Sequence, residues 1–204
     1  DGGNPDALSR ISNIAHILRF VHRQKFETVA KAMPIRPGVI ECVKAFKRAG
    51  FMVGVVSDSY FVAAEVLRKR IFADFALAHT VQFQGDVCTG ELSINSAFLP
   101  DPNTSDTDAA RIGISKHHVV VQFRREDIQP RFDTVWAVGD NDNDVEMLSL
   151  ADRAWMIEPK SPRLKNLAGV TEIAHFDELT AALAQAMQEE TAKADGQPPK
   201  GNGP

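Results

Sequence analysis

Apolar positions recur at roughly helical spacing through Leu8, Ile11, Ile14, Ala15, Leu18, Val21, Phe26, Val29 and Ala30, which predicts two amphipathic helices over residues 8–32, broken near Gln24-Lys25. Pro34 and the pair Pro37-Gly38 close this segment and start a third helix over 39–49, with Gly50 as its stop. The pattern then changes. Residues 51–56 are a short apolar block that reads as a buried strand ending in Ser57-Asp58-Ser59, and residues 60–70 return to helical spacing. Residues 76–92 read as strands around a Gly85-Asp86 hairpin turn. Residues 100–108 are a polar insertion loop of Pro, Asp, Asn, Thr and Ser. Over 116–123, Val119, Val120 and Val121 favour a strand, but Lys116, Val119, Val120 and Phe123 share one helix face. The short connection to the next strand selects helix.

That next strand is the one the chain is organised around. Thr134-Val135-Trp136-Ala137-Val138 is β-branched and aromatic, stops at Gly139-Asp140, and gives way to helical spacing from Val145 to Leu148. Asp140, Asp142 and Asp144, interleaved with Asn141 and Asn143, fill the turn. Open α/β sheets bind their ligands at the C-terminal ends of strands. No basic residue stands close by in sequence, so a hard cation such as magnesium or calcium is the expected neutralising partner. An EF-hand loop would need Gly and Glu where the chain has Val145 and Ala151, and helices on both sides; that reading fails. A polar turn with capping Asp residues is the plain alternative. Further strands are expected over 154–157 and 170–174, a helix over 177–190 capped by Asp177, and a disordered tail from 194.

Composition narrows the function classes. A hydrophobic fraction of 44% and a charged fraction of 25% over 204 residues fit one α/β domain with a small accessory piece. The net charge of −4 gives no reason to expect nucleic acid or an anionic membrane as partner. No apolar run reaches the length of a membrane span. Cys42 and Cys88 match no metal spacing and read as inert thiols, which makes a reducing cytoplasm the default.

Three polar features fall at element ends: the hydroxyl of Ser57, the ammonium of Lys116, and the acidic pair Asp140 and Asp144. Taken singly, the Ser57 turn is more often a cap and Lys116 more often a solvated charge, and the acidic pair has a capped turn as its plain alternative. Together they are the parts phosphoryl transfer requires, because charge on the transferring group must be offset and its oxygens oriented. The set resembles the haloacid-dehalogenase superfamily of phosphatases, and within it the phosphoserine phosphatases. Pro34-Ile35-Arg36-Pro37-Gly38 looks like the turn before the second motif, Val53-Gly54-Val55-Val56-Ser57 like that motif, and Gly85-Asp86-Val87-Cys88-Thr89-Gly90 like the hairpin after it. Lys116 falls where the third-motif Lys stands, and Gly139-Asp140-Asn141-Asp142-Asn143-Asp144 is similar to the fourth motif.

The resemblance implies a Rossmann-like core with a parallel sheet over 34–190, a helical cap of which 1–33 is part, and a tail over 191–204. It implies phosphate at Ser57, with Asp58, Ser59 and Asn143 near the substrate, magnesium on Asp140 and Asp144, and Lys116 as the charge partner. The implied partner is a small phosphorylated metabolite, phosphoserine first, which points to serine biosynthesis. Arg10 and Arg19 are candidate carboxylate ligands on the cap helices, although solvated surface charges are the simpler reading.

Two departures stand out. Asp58-Ser59 occupies the place where phosphoserine phosphatases carry two glycines. The first motif, a buried strand ending in Asp-x-Asp that supplies the nucleophile and the acid/base, has no counterpart. Asp106-Thr107-Asp108 has the spacing but follows a loop. The expected arrangement is therefore an upstream segment carrying the nucleophile, with the strands ending at Ser57 and Asp140 left as unpaired edges without it. The rivals are a phosphatase of another small ester, and a nucleophile-free module that binds or regulates.

Overall fold

A computed structural model describes residues 7–101, 113–127, 129 and 131–195. Its elements run α1 (Ala7–Ile17), α2 (Arg23–Ala32), α3 (Val39–Arg48), β1 (Gly54–Tyr60), α4 (Phe61–Ile71), β2 (Phe75–Gln84) and β3 (Val87–Ser93). A 3-10 turn (Ser96–Phe98), α5 (Lys116–Phe123), β4 (Trp136–Gly139), a second 3-10 turn (Asp142–Asp144) and α6 (Val145–Leu150) follow. The chain then forms β5 (Arg153–Ile157), α7 (Pro162–Lys165), β6 (Val170–Ile173) and α8 (Phe176–Asp195).

β5 shows how the second half is held. Successive side chains of a strand point to opposite faces. Ala154 and Met156 pack with Val120, Val145, Leu148 and Leu164, whereas Trp155 and Ile157 pack with Cys42, Phe46, Leu179 and Leu183. Helices α5, α6 and α7 thus cover one face and α3 and α8 the other, the double cover that a parallel sheet requires. Leu148, 1% exposed, lies at the centre of the first layer. Leu148→Ala is expected to cost about 2–5 kcal/mol, read as a lower urea midpoint at unchanged slope.

The parallel α/β architecture is present, but as two three-stranded sheets. β1 pairs with β2 in parallel and β2 with β3 antiparallel, while β4, β5 and β6 form a separate parallel sheet. α1 lies on the first sheet through Ile11 and Ala15, against Tyr60, Val81 and Cys88. Arg70 ties α4 to the end of α2, its Nη1 donating to the carbonyls of Ala30 at 2.9 Å and Met33 at 2.7 Å.

β1 and β4 each end their sheet, and their surroundings meet at both ends. At one end Phe51, which leads into β1, packs against the Trp136 ring of β4 at 5.3 Å. At the other, Asn143 Nδ2 donates to Asp58 Oδ2 at 2.5 Å. Between these contacts neither strand has a pairing partner on this side among the described residues. Side chains bridge the two edges and backbone does not.

Several boundaries move, each for a long-range reason. The first two helices separate around Phe20, not at Gln24-Lys25, which lie inside α2. Phe20 is left-handed at φ 69, and its N–H donates to the Cys88 carbonyl at 2.8 Å while Cys88 N–H donates to Val21 at 2.9 Å. β3 therefore places the break. β1 starts at Gly54 rather than 51 and continues through Ser57, Asp58 and Ser59 to Tyr60, because β2 extends beside it to pair His79 with Tyr60. Asp177 lies in the first turn of α8; the capping carboxylate is Glu178, whose Oε1 accepts from Ala174 and His175 N–H at 2.8 and 3.0 Å. α8 runs through Asp195, and 196–204 lie outside the described residues, as do residues 102–108 of the loop expected over 100–108. Both cysteines are free and buried. Among the described residues no helix is long and apolar enough to cross a membrane.

Candidate functional site

The end of β4 folds back on itself. Asn141 starts the 3-10 turn, its side chain accepting from Asp142 N–H at 2.9 Å. Asp144 closes the same turn by returning its Oδ2 to the N–H groups of Asp140 at 2.9 Å and Asn141 at 3.1 Å. This needs glycine at 139, where a Cβ would lie 2.5 Å from the Asp144 Cβ. The Gly-Asp start of the motif thus has a packing cause in this chain.

Lys116 opens α5, whose first turn is capped by Ser115 Oγ accepting from His117 N–H at 3.1 Å. Its Nζ donates to Asp144 Oδ1 at 2.7 Å. Lys116 is 8% exposed and Asp144 4%, so this is a buried ion pair. Both Asp144 oxygens are committed within the chain.

Asp140 is neutralised by residues distant in sequence. Lys160 Nζ lies 2.6 Å and Arg36 Nη2 3.7 Å from its Oδ2, and Lys160 N–H donates to the Asp140 carbonyl at 3.0 Å. Arg36 also pairs with Glu158. Asp142 accepts from the Ser161 hydroxyl. The expectation that nearby cations are lacking is therefore corrected: Arg36 from the Pro-Gly turn and Lys160 from beyond β5 are delivered by tertiary structure. A basic residue inside the motif-like turn at 34–38 was the one sequence signal for Arg36; Lys160 and Ser161 carried none.

At the end of β1, Ser57 Oγ accepts from Ser59 N–H at 3.1 Å. A cleft of about 510 Å³ opens beside it, lined by Arg10, Ile11 and Ile14 of α1, by Asp58, Ser59 and Tyr60, and by Asn141, Asp142 and Asn143. Of the expected substrate residues it takes in Asp58, Ser59 and Asn143. Ser57, Lys116 and Asp140 are not among its lining residues. Arg10 faces the cleft; Arg19 instead stacks its guanidinium over Phe20 at 4.7 Å. Behind Asp58 lies His79, fully buried, its Nδ1 accepting from Asn95 N–H at 3.3 Å. Burial holds this imidazole below its usual pKa although the Asp58 charge acts in the opposite sense.

A magnesium ion takes one or two carboxylates and completes its shell with water and phosphate oxygens. Asp140, exposed on one side at the strand end, fits that role as a single ligand; Asp144, with both oxygens engaged, fits that of its support. Among the described residues no group of three or more His, Cys, Asp and Glu side chains converges as a ready-made cage.

A model of the haloacid dehalogenase-like hydrolases matches residues 10–149. The chain belongs to that family. This haloacid dehalogenase-like chain is 26% identical over 169 residues to a phosphoserine phosphatase of Streptomyces coelicolor, covering 83% of the chain and 37% of the relative. It is 24% identical over 143 residues to phosphoserine phosphatase SerB2 of Mycobacterium tuberculosis, covering 70% and 31%. The chain thus spans about a third of each of these relatives. A substrate-bound phosphoserine phosphatase structure superposes at TM-score 0.66 with 20% identity, over 89% of this chain and 79% of the other. A phospho-aspartyl intermediate analogue of phosphoserine phosphatase gives 0.65 with 20% identity, over 85% and 76%. These structural likenesses establish the family's fold for the chain.

Proposed function

We propose that this haloacid dehalogenase-like chain forms part of a magnesium-dependent phosphomonoester hydrolase whose substrate is phosphoserine or a close relative, working through an aspartyl-phosphate. The observation that carries the reading is the buried Lys116–Asp144 pair at the end of β4, beside Asp140 and joined through Asn143 to the end of β1. The Lys116 ammonium offsets charge on the phosphoryl oxygens, and Asp144 holds that ammonium in place. The Ser57 hydroxyl and the backbone N–H groups after it orient the phosphate. Asp140 would hold magnesium, which when bound neutralises phosphate charge as a Lewis acid. The attacking carboxylate belongs to a strand lying between β1 and β4. It forms a bond to phosphorus as the alcohol leaves, and water then releases phosphate.

That β1 and β4 have no partners on their facing sides among the described residues favours one alternative, a phosphate-binding module without turnover. Asp140→Asn in the full protein separates the two. On the enzyme reading it removes magnesium-dependent turnover; turnover retained in full with unchanged magnesium dependence sinks the assignment. Phosphate binding with no hydrolysis by the unaltered full protein would establish the module instead.

A further inference from the structure

His79 on β2 is fully buried, and the chemistry derived so far gives it no part. Its Nδ1 accepts the Asn95 N–H. Asn95 is itself held, its Nδ2 donating to the Ala78 carbonyl at 3.3 Å and its Oδ1 accepting from Ala97 N–H at 3.0 Å. Phe98, also fully buried, lies against the imidazole at 4.7 Å. Burial keeps the ring neutral, and a neutral ring that accepts at Nδ1 carries its proton on Nε2. That Nε2 is buried without a partner. The ring is thus a fixed donor aimed at nothing in its own strand.

The matching acceptor is on the neighbouring strand. Val56 stands opposite Leu77 and Tyr60 opposite His79, so Ser57, Asp58 and Ser59 face Ala78 alone. This excess is a bulge, closed by Ser59 N–H donating to Ser57 Oγ, and it sets Asp58 beside the His79 level of the sheet. The Asp58 charge is felt at the imidazole. Asp58 Oδ2 takes the Asn143 amide N–H, whereas Oδ1 is buried with no donor. A buried donor and a buried acceptor, each costly alone, therefore lie on adjacent strands at one end of the sheet.

We propose that His79 is a positioning residue whose Nε2–H holds Asp58 Oδ1, directly or through one ordered water, so that His79, Asp58 and Asn143 form one hydrogen-bonded chain from β2 across β1 to the β4 turn. The chain ties the two sheets together where, among the described residues, no backbone pairing joins them. It also fixes Asn143 on the cleft wall. An Asp directly after Ser57 then has a physical account. With both oxygens engaged by donors inside the protein, the carboxylate is turned away from an anion at Ser57. The hydrogen-bonded chain stands without the phosphatase reading; only the roles of Asn143 and Ser57 toward an ester rest on it.

The test is proton–nitrogen NMR of the full protein at neutral pH with isotope-labelled histidines, the His79 signal being assigned by its loss in His79→Gln. The ring is expected to carry its proton on Nε2. In Asp58→Asn one amide oxygen must serve two donors. Exchange of the Nε2 proton with solvent should then speed roughly tenfold relative to the β5 backbone amides, which report global opening. A proton on Nδ1, or an Nε2 proton that exchanges alike in both proteins, overturns the proposal. Kinetics read the consequence. His79→Leu is expected to raise KM for phosphoserine roughly tenfold with kcat little changed. His79→Gln, which can accept and donate at the same two places, should restore most of that loss. Equal KM values in the Leu and Gln variants overturn the proposal as well, since His79 would then only fill space. If the unaltered full protein turns over no phosphate ester, the phosphatase reading falls and the NMR result alone decides. Turnover with an unresponsive Nε2 proton leaves that reading and removes the role of His79.

Discussion

Residues 1–204 alone, with magnesium present, are expected to turn over phosphoserine no faster than a protein-free control, and to gain turnover when a strand ending in Asp-x-Asp-x-Thr is supplied. The sequence contains no apolar strand with that ending, and the structure leaves β1 and β4 without partners on facing sides among the described residues. A parallel strand inserted there would pair both edges at once and bring its C-terminal carboxylates to the level of Ser57 and Asp140, where open α/β sheets place their chemistry. Catalytic groups that act as a unit fail together, so loss of the nucleophile costs roughly 10⁴- to 10⁶-fold. A second readout is independent of activity. Amide exchange in Gly54–Tyr60 and Trp136–Gly139 should slow when the strand is added. Robust turnover by the bare chain would mean that one of its own Asp residues is the nucleophile, and would overturn the assignment of roles.

Lys116→Ala in the full protein should lower turnover by roughly 100- to 1,000-fold, the scale seen when one preorganised electrostatic contact is removed. It should also destabilise the fold by about 3–5 kcal/mol, because Asp144, 4% exposed, is left as an uncompensated buried charge. The two effects are separable. In a Lys116→Met, Asp144→Asn double variant the unpaired charge is gone, while the Asn oxygen can still accept one N–H from the turn. Stability should recover most of its loss and turnover should not. Urea unfolding and steady-state rates measured on the same preparations decide this. Recovery of both would mean that Lys116 acts on the fold alone.

Much of the molecule was legible as periodicity. The β5 and β6 strands, α3 with its Gly50 stop and the Gly85-Asp86 turn follow from patterns that local geometry enforces, whereas α5 was chosen over a strand only from the short connection that follows it. So did the turn chemistry at 139–144, since Asn141 and Asp144 close a ring of only a few residues. Element ends were less legible. Phe20 carries no local breaking signal, and its left-handed backbone is set by β3; Ser57, Asp58 and Ser59 look like a turn and become strand because β2 lies alongside.

The sequence by itself determined which residue types the site contains and in what order, and through the Gly139-Asp140 start how the β4 turn closes. Local hydrogen bonds and short-range sterics suffice for that. Tertiary structure alone decided the charge balance. Arg36 and Lys160 reach Asp140, Lys116 commits Asp144, and Asn143 donates its amide N–H to the half-buried Asp58. These contacts join residues between 20 and 104 positions apart (140−36 = 104; 160−140 = 20). No local pattern encodes them, because a charge has no sequence neighbour that dictates its partner once the chain has folded into sheets.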